Sequence, residues 1–524
     1  MTVSLIKPKL SARQPEPVPA NTPYFETDHL LPDLHRRSIR GSVTTLSGQG
    51  VKLLLQTLST VVLARLLLPY DFGLIAMESA IIGLIGMCAD LGLTRATVQR
   101  AQITHAQVST LFWVNCAFGV AFALVVVALA PAIAWFYHEP RLFAITFALS
   151  VNFIFGGLTA QHQALLVRQM HFDTVVVIGS VSMACGVVTA IVMAWQHFGY
   201  WALVASNVVT SAVQCVLVWT KCTWRPGAFK LGVGVRSMLV FGGHLSGFTV
   251  LSYLTRNFDN ILIGRVLGST PLGIYSKAYG LLMLPMSQIN IPISAVLVPG
   301  LSRLQQRPAE YSKLYFQALG ALSLVTVPLV VFSFFLARDV VLVILGPRWL
   351  PAAHVFQLLG PAALVGAINF APDWLCVSSG RTRIQFNFAL VSAPVCVGAF
   401  LVGVRWGIEG VAAAFSTVFT GLYWWFVWYA SKNSPVGFSE ILRSFLRAAL
   451  PACLAGVITW VSRRVLPFEI RPILALLFSA MVFAFAYVGL ALLSDRNKSL
   501  ILTGMSILRR KVRLWPFVSS RAAE

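Results

Sequence analysis

From Gly41 to Leu493 the chain is a succession of about fourteen mostly apolar stretches, each about 20 residues long. A helix of that length rises about 30 Å, the thickness of the hydrocarbon layer of a bilayer. In lipid every backbone N–H and C=O has to find its partner within the protein, so a chain built this way folds as a bundle of helices. The sequence therefore predicts an all-α polytopic membrane protein of about fourteen transmembrane helices. Hydrophobic residues make up 57% of the chain and charged ones 11%, with a mean hydropathy of +0.77, which excludes a water-soluble globular domain of this size. No linker exceeds about 20 residues, too few to bury a core of its own. An extramembrane catalytic domain is thereby excluded.

The net charge of +22 raises the possibility of a nucleic-acid partner, but the placement of the cations argues for a membrane instead. With the N-terminus cytoplasmic, Arg95, Arg100, Arg168, Lys221, Arg225, Lys230, Arg236, Arg303, Arg307, Lys313, Arg381, Arg383, Lys432, Arg443 and Arg447 all fall at internal loops. The alternate loops hold about half as many, and both tails are basic. The positive-inside rule then places both termini in the cytoplasm, which suits an even number of spans. Residues 1–40 read as a disordered cytoplasmic tail with no signal peptide. At the other end, 494–524 is a basic cytoplasmic tail; its stretch 499–518 reads equally as an interfacial helix on anionic lipid or as plain positive charge that fixes topology.

A repeat runs through the apolar region. Val61-Val62-Leu63-Ala64-Arg65-Leu66-Leu67 at the end of the first span is echoed about 200 residues later by Ile261-Leu262-Ile263-Gly264-Arg265-Val266-Leu267. In both copies a turn with one proline, Pro69 or Pro271, leads to Gly73-Leu74 or Gly273-Ile274. Repeats of this kind build two-lobed transporters. The predicted organisation is two pseudo-symmetric six-helix lobes, 41–220 and 236–430, joined by a cytoplasmic linker over 221–235. A C-terminal helix pair with its preceding loop occupies 431–493. Pro226, Gly227, Gly232 and Gly234 make the linker either a flexible hinge for rocking lobes or an ordinary loop. The prolines between Pro285 and Pro299 mark span eight as the broken helix.

Ionisable residues within a span cost about 3 kcal/mol each on insertion scales, so those present are expected to face a wet interior. Lys52 lies near the middle of span one, Glu78 early in span two, Arg256 and Asp259 toward the outer end of span seven, and Lys277 inside span eight. Lys52, Arg256 and Lys277 are the candidate substrate-binding cations of a cavity between the lobes. Lys52 is the foremost, being too deep to reach either surface. Glu78 and Asp259 are candidates for ion pairing or for a coupling proton or sodium ion, and Asp373 for pairing with Arg381 or Arg383. The scattered cysteines form no CxxC pair, the histidines show no metal spacing, and no GxxxxGK[ST] loop is present. No metal or other cofactor is expected.

The segments Ala64-Arg65-Leu66-Leu67-Leu68-Pro69-Tyr70-Asp71-Phe72-Gly73-Leu74, Ala89-Asp90-Leu91-Gly92-Leu93, Asp259-Asn260-Ile261-Leu262-Ile263-Gly264, Leu272-Gly273-Ile274-Tyr275-Ser276-Lys277-Ala278-Tyr279 and Gly346-Pro347-Arg348-Trp349 resemble the polysaccharide-transporter (Wzx and WzxC-like) flippases of the multidrug/oligosaccharidyl-lipid/polysaccharide exporter superfamily. The resemblance implies a transporter, not an enzyme, that moves undecaprenyl-pyrophosphate-linked oligosaccharide from the cytoplasmic to the outer leaflet of a bacterial inner membrane for surface polysaccharide synthesis. It implies as partners the lipid-linked oligosaccharide, membrane lipids, and assembly proteins such as a polysaccharide polymerase, with no nucleic acid. Of the three candidate cations only Lys277 lies within such a motif; Lys52 and Arg256 rest on depth and sign.

The alternatives are a peptidoglycan-precursor flippase or a multidrug or cation exporter of the same superfamily, and behind them a membrane glycosyltransferase or polymerase. A cation exporter is expected to line its cavity with acids rather than with lysine and arginine. A polymerase is expected to carry paired carboxylates on a long external loop, and here those loops are short. Thiol reagents that cannot cross membranes should label cysteines placed in the 221–236 linker only from the cytoplasmic side; labelling from outside inverts the topology.

Overall fold

The computed structural model describes residues 24–25, 33–89, 93–100, 103–230, 253, 256–432, 434–465 and 472–499. Every regular element among them is a helix. The long ones are α1 (Leu34–Leu66), α2 (Pro69–Ala89), α4 (His105–Tyr137), α5 (Arg141–Arg168), α6 (Phe172–Trp195) and α7 (Trp201–Lys221), with a short α3 (Leu93–Gln99) after α2. The second half holds α8, described over 256–267, then α9 (Ser269–Arg303), α10 (Pro308–Phe335) and four short helices, α11 (Ala337–Ile344), α12 (Pro351–Leu358), α13 (Gly360–Gly366) and α14 (Phe370–Ser378). It ends with α15 (Thr382–Gly403), α16 (Gly407–Ser431), α17 (Phe438–Val465) and α18 (Pro472–Leu492).

Nine helices among the described residues are long and apolar enough to span a bilayer, or eleven with each of two bent pairs taken as one span. One of the nine, Thr382–Ser431, contains both α15 and α16, which fold back on one another. The count of fourteen expected from sequence further requires α1, which is too polar to join that set, and α8, described over 256–267. One bend, of 40° between Ser269–Asn290 and Pro292–Arg303, falls in the proline run expected to break. The other, of 50° between Pro351–Leu358 and Gly360–Ser378, sits where Gly360-Pro361 interrupts the chain. Leu124, Val188 and Phe485, each more than half exposed, present the apolar surface that acyl chains cover.

Two groups of helices build the molecule. In the first half α4 packs on α5, α5 and α6 on α7, α1 on α6, and α2 against α4, α5 and α7. In the second, α9 packs on α10, α12 and α14, and α16 on α13 and α15. The C-terminal pair is attached on the flank, α17 against α10 and α18 against α17. Small residues set the closest approaches. A Cβ on Gly119 would lie 2.6 Å from the Phe153 carbonyl oxygen, and one on Gly157 2.6 Å from that of Asn115, so α4 and α5 cross nearly backbone to backbone.

The halves meet where α2 and α9 begin, at the end of the bundle opposite the start of α1. A Cβ on Gly73 would collide with the Ser269 carbonyl, and a Cβ on Gly273 with that of Pro69. The two glycines are the ones aligned by the sequence repeat, and each makes the other's contact in reverse.

Of the linker, residues 222–230 are strapped to α4, whereas 231–235, with Gly232 and Gly234, lie outside the described residues. Gly227 donates its N–H to Ser109 Oγ at 2.9 Å, Trp113 Nε1 donates to the Gly227 carbonyl at 2.8 Å, and Thr110 Oγ1 donates to the Lys230 carbonyl at 3.1 Å. Trp224 is fully buried beneath this strap. Of the segment read as a tail, 1–23 and 26–32 lie outside the described residues; within the rest α1 begins at Leu34, the Tyr24 hydroxyl lies 2.9 Å from Thr223 Oγ1, and Arg168 Nη2 donates to the Phe25 carbonyl at 3.1 Å. The interfacial helix considered over 499–518 lies, apart from Ser499, outside the described residues.

Gly73→Val and Gly273→Val should each lower stability by about 1–3 kcal/mol, the usual cost of overpacking, read as a fall in the thermal unfolding midpoint of the purified protein. Gly86→Ala, whose Cβ meets nothing within 4 Å, should leave the midpoint unchanged or raise it, because alanine suits a helix interior better than glycine. Equal effects at the three sites contradict the seam.

Candidate functional site

Around the two glycines the halves interlock through side chains drawn from the repeated and family-like segments. Arg65 Nη2, in the first half, donates to the Val343 carbonyl of the second at 2.8 Å. Its counterpart Arg265 reaches the other way, with Nη1 2.9 Å from His138 Nδ1 and its guanidinium over the Phe136 ring. Trp349, fully buried, donates Nε1 to the Ala64 carbonyl at 2.7 Å and packs edge-on against Phe72. Gly346, at φ +98°, lets the chain turn sharply ahead of Trp349 without a Cβ penalty.

Lys277 belongs to this seam. It is half-buried, and its ammonium sits 3.9 Å from the centre of the Phe72 ring, a cation–π contact from one half onto the other. Lys52 lies elsewhere. Gly41, Gly48 and Lys52, spaced by seven and four residues, share one face of α1. That face runs along α6: Cβ atoms on the glycines would strike Phe172 and Val176, and one on Gly179 would stand 2.7 Å from Lys52 Nζ. Lys52 is exposed and contacts its own half. Arg256 is also exposed and near enough to Asp373 and Tyr279 to act on them electrostatically. The three cations expected to line one cavity therefore have separate neighbours, and among the described residues none of them forms a salt bridge.

The two candidate carboxylates are buried, Glu78 at 4% exposure and Asp259 at 5%. Glu78 Oε2 accepts from the Ser79 hydroxyl at 3.1 Å. Asp259 accepts from the Tyr275 hydroxyl at 2.9 Å and from the Asn260 N–H at 2.8 Å. Among the described residues neither is paired with a cation. Asp373 is a correction: instead of pairing with Arg381 or Arg383 it accepts from Gln385 Nε2 at 2.7 Å. Arg381 is turned away to the Lys432 and Ala430 carbonyls, where it ties the start of α15 to the end of α16. No three His, Cys, Asp or Glu residues among those described come together to hold a metal ion.

One feature was not read from the sequence. Between α2, α4, α5 and α7 lies a cavity of about 440 Å³, lined by Glu78, Ser79, Asn115, Asn152, Phe153 and Asn207 together with several glycines. Asn115 is 6% exposed, and its Nδ2, like Asn152 Oδ1, has no hydrogen-bond partner. Tyr253 of the second half closes on the edge of this space, its hydroxyl donating to the Ser79 carbonyl at 2.7 Å. Asparagines within apolar spans were the available signal, since a buried amide in lipid is costly without a partner. A search confined to charges passes over them.

Known proteins share both the sequence and the fold. The family described as polysaccharide biosynthesis protein matches residues 62–354. The lipopolysaccharide biosynthesis protein WzxC of Escherichia coli is 25% identical over 390 residues, 74% of this chain and 79% of that protein. The succinoglycan biosynthesis transport protein ExoT of Rhizobium meliloti is 26% identical over 349 residues, 65% of this chain and 69% of that protein. In fold, the lipid II flippase MurJ in its inward closed conformation superposes with a TM-score of 0.69 at 13% identity, over 88% of this chain and 99% of that one. An inward-facing multidrug transporter of the MATE family gives 0.59 at 12% identity, over 77% and 99%. The match runs over more than half of the residues and takes in both copies of the repeat: the chain belongs to the polysaccharide biosynthesis protein family and is a multi-pass membrane protein.

Proposed function

We propose that the protein is a flippase that carries an undecaprenyl-pyrophosphate-linked oligosaccharide across the bacterial inner membrane for surface polysaccharide synthesis. It works by alternating access, with both termini in the cytoplasm. The observation that carries this reading is the seam. The halves touch through repeat-equivalent groups at the end that this topology makes periplasmic, Gly73 on Ser269 and Gly273 on Pro69. Contacts so related by pseudo-symmetry can separate as a unit when one rigid half rocks against the other.

The chemistry of the cargo fits the charges. The prenyl chain stays in lipid, whereas a pyrophosphate and its sugars lose hydration in crossing and require charge and hydrogen bonds in exchange. Lys52, Arg256 and Lys277 are assigned to the diphosphate at successive points of its path, since they do not gather at one point. Glu78 and Asp259 are assigned to a coupling ion or proton, both being buried without a cation partner. The names of the relatives, which refer to lipopolysaccharide and succinoglycan, favour a polysaccharide precursor. The shared fold with a lipid II flippase makes a peptidoglycan precursor the second reading.

Deleting the protein from its host should abolish surface polysaccharide, and the intact chain should restore it. In that background Lys52→Ala should fail to restore export while reaching the membrane in normal amount, and Lys52→Arg should keep most of it, since a diffuse guanidinium still meets a diphosphate. Full export by Lys52→Ala removes that residue from the path; unchanged surface polysaccharide on deletion overturns the function.

A further inference from the structure

The cavity of the first half is set in the middle of its helices; glycines and aliphatic side chains make up much of its wall, and into it are set three asparagines, one carboxyl, one hydroxyl and an aromatic ring. We propose that it is a carbohydrate subsite, which takes sugar residues of the lipid-linked oligosaccharide while the diphosphate is held elsewhere; this rests on the flippase reading above.

Three observations lead to sugars rather than to another ligand. No lysine, arginine or histidine is among the lining residues, so nothing there offsets the charge of a phosphate. A bound metal ion requires several oxygens converging at about 2.3–2.6 Å, whereas this space is about 440 Å³, within the range of about 300–1,000 Å³ typical of small organic ligands. The polar groups are of the kind that hydroxyl-rich molecules match. Each asparagine amide offers two donors and a carbonyl acceptor, and a sugar hydroxyl both donates and accepts. Asn115 Nδ2 and Asn152 Oδ1, on neighbouring helices, are buried without partners. That is a donor and an acceptor left for something else to satisfy. Glu78 supplies a further acceptor in either protonation state, and Phe153 offers a ring face for the C–H side of a pyranose.

The position of Tyr253 connects the subsite with movement of the halves. Its hydroxyl bonds to the Ser79 carbonyl, and a Cβ on Gly83 would collide with that hydroxyl. Gly83 thus leaves the groove in which this tyrosine of the second half lies. A sugar leaving this cavity toward the seam displaces Tyr253 from Ser79, so release of cargo and separation of the halves go together.

The test measures binding of two probes to the purified full-length protein: lipid-linked oligosaccharide extracted from host membranes, and undecaprenyl pyrophosphate without sugar. Two variants enter by different routes. Asn152→Leu keeps the volume and removes the amide, and Gly156→Leu projects into open space, since its Cβ meets nothing within 4 Å. The wild type should bind the sugar-bearing lipid at least about tenfold more tightly than the bare one, about the worth of one well-formed buried hydrogen bond. Both variants should lose that preference and bind the bare lipid as before. Asn152→Gln, which keeps the amide, should recover part of it. Retention of the preference in both variants overturns the subsite, as does a wild type without preference. Equal loss of both probes overturns it too, by making the cavity part of the common lipid path. A wild type that binds neither probe contradicts the flippase reading itself.

Discussion

Two helices can touch backbone to backbone only where neither presents a Cβ, and between the halves of this molecule that occurs at Gly73 and Gly273. The rest of the arrangement depends on this contact. It brings the N-terminal ends of α2 and α9 together and sets Arg65 beneath the Val343 carbonyl. It places Arg265 beside His138 and lays Lys277 over Phe72. A membrane protein cannot rely on water to drive its helices together, so close packing of small residues and a few well-made hydrogen bonds have to hold the seam. Trp349 completes it by bonding to a carbonyl on α1 while filling the space beside Phe72.

The seam also explains which segments of the sequence look alike. The arginine and glycine that register the repeat, Arg65 with Arg265 and Gly73 with Gly273, are those whose contacts cross between the halves. The Gly346-Pro347-Arg348-Trp349 motif belongs to the same place, because it delivers Trp349. A contact in which each side chain has a fixed partner across the seam restricts its residues more than lipid-facing leucines and valines are restricted.

The helical membrane fold was legible at once, because a 20-residue apolar run in lipid has few other structures open to it. The repeat and one bent helix were legible from arginine, glycine and proline positions. The site was less so. Position along a helix can be counted from sequence, but direction cannot: Lys52 lies against α6 with Gly41 and Gly48, a face set by small residues that suit close packing. Asp373 was given an arginine partner on charge alone, whereas Gln385 stands closer and Arg381 is held by the end of α16. The polar cavity was missed because its amides carry no charge, and in hydrocarbon an unpaired amide is nearly as informative as an ion. The linker looked flexible from its glycine and proline, yet Gly227 bonds through its N–H and its carbonyl to α4.

The account turns on whether the halves part at the seam when cargo is present. Spin labels at Leu68 and Val266, both half-exposed on either side of the seam, report this by pulsed electron–electron distance measurement in lipid nanodiscs. The account predicts a short-distance population for the protein alone and a second, longer one when lipid-linked oligosaccharide is added. A single unchanged distance in the presence of bound cargo would contradict it.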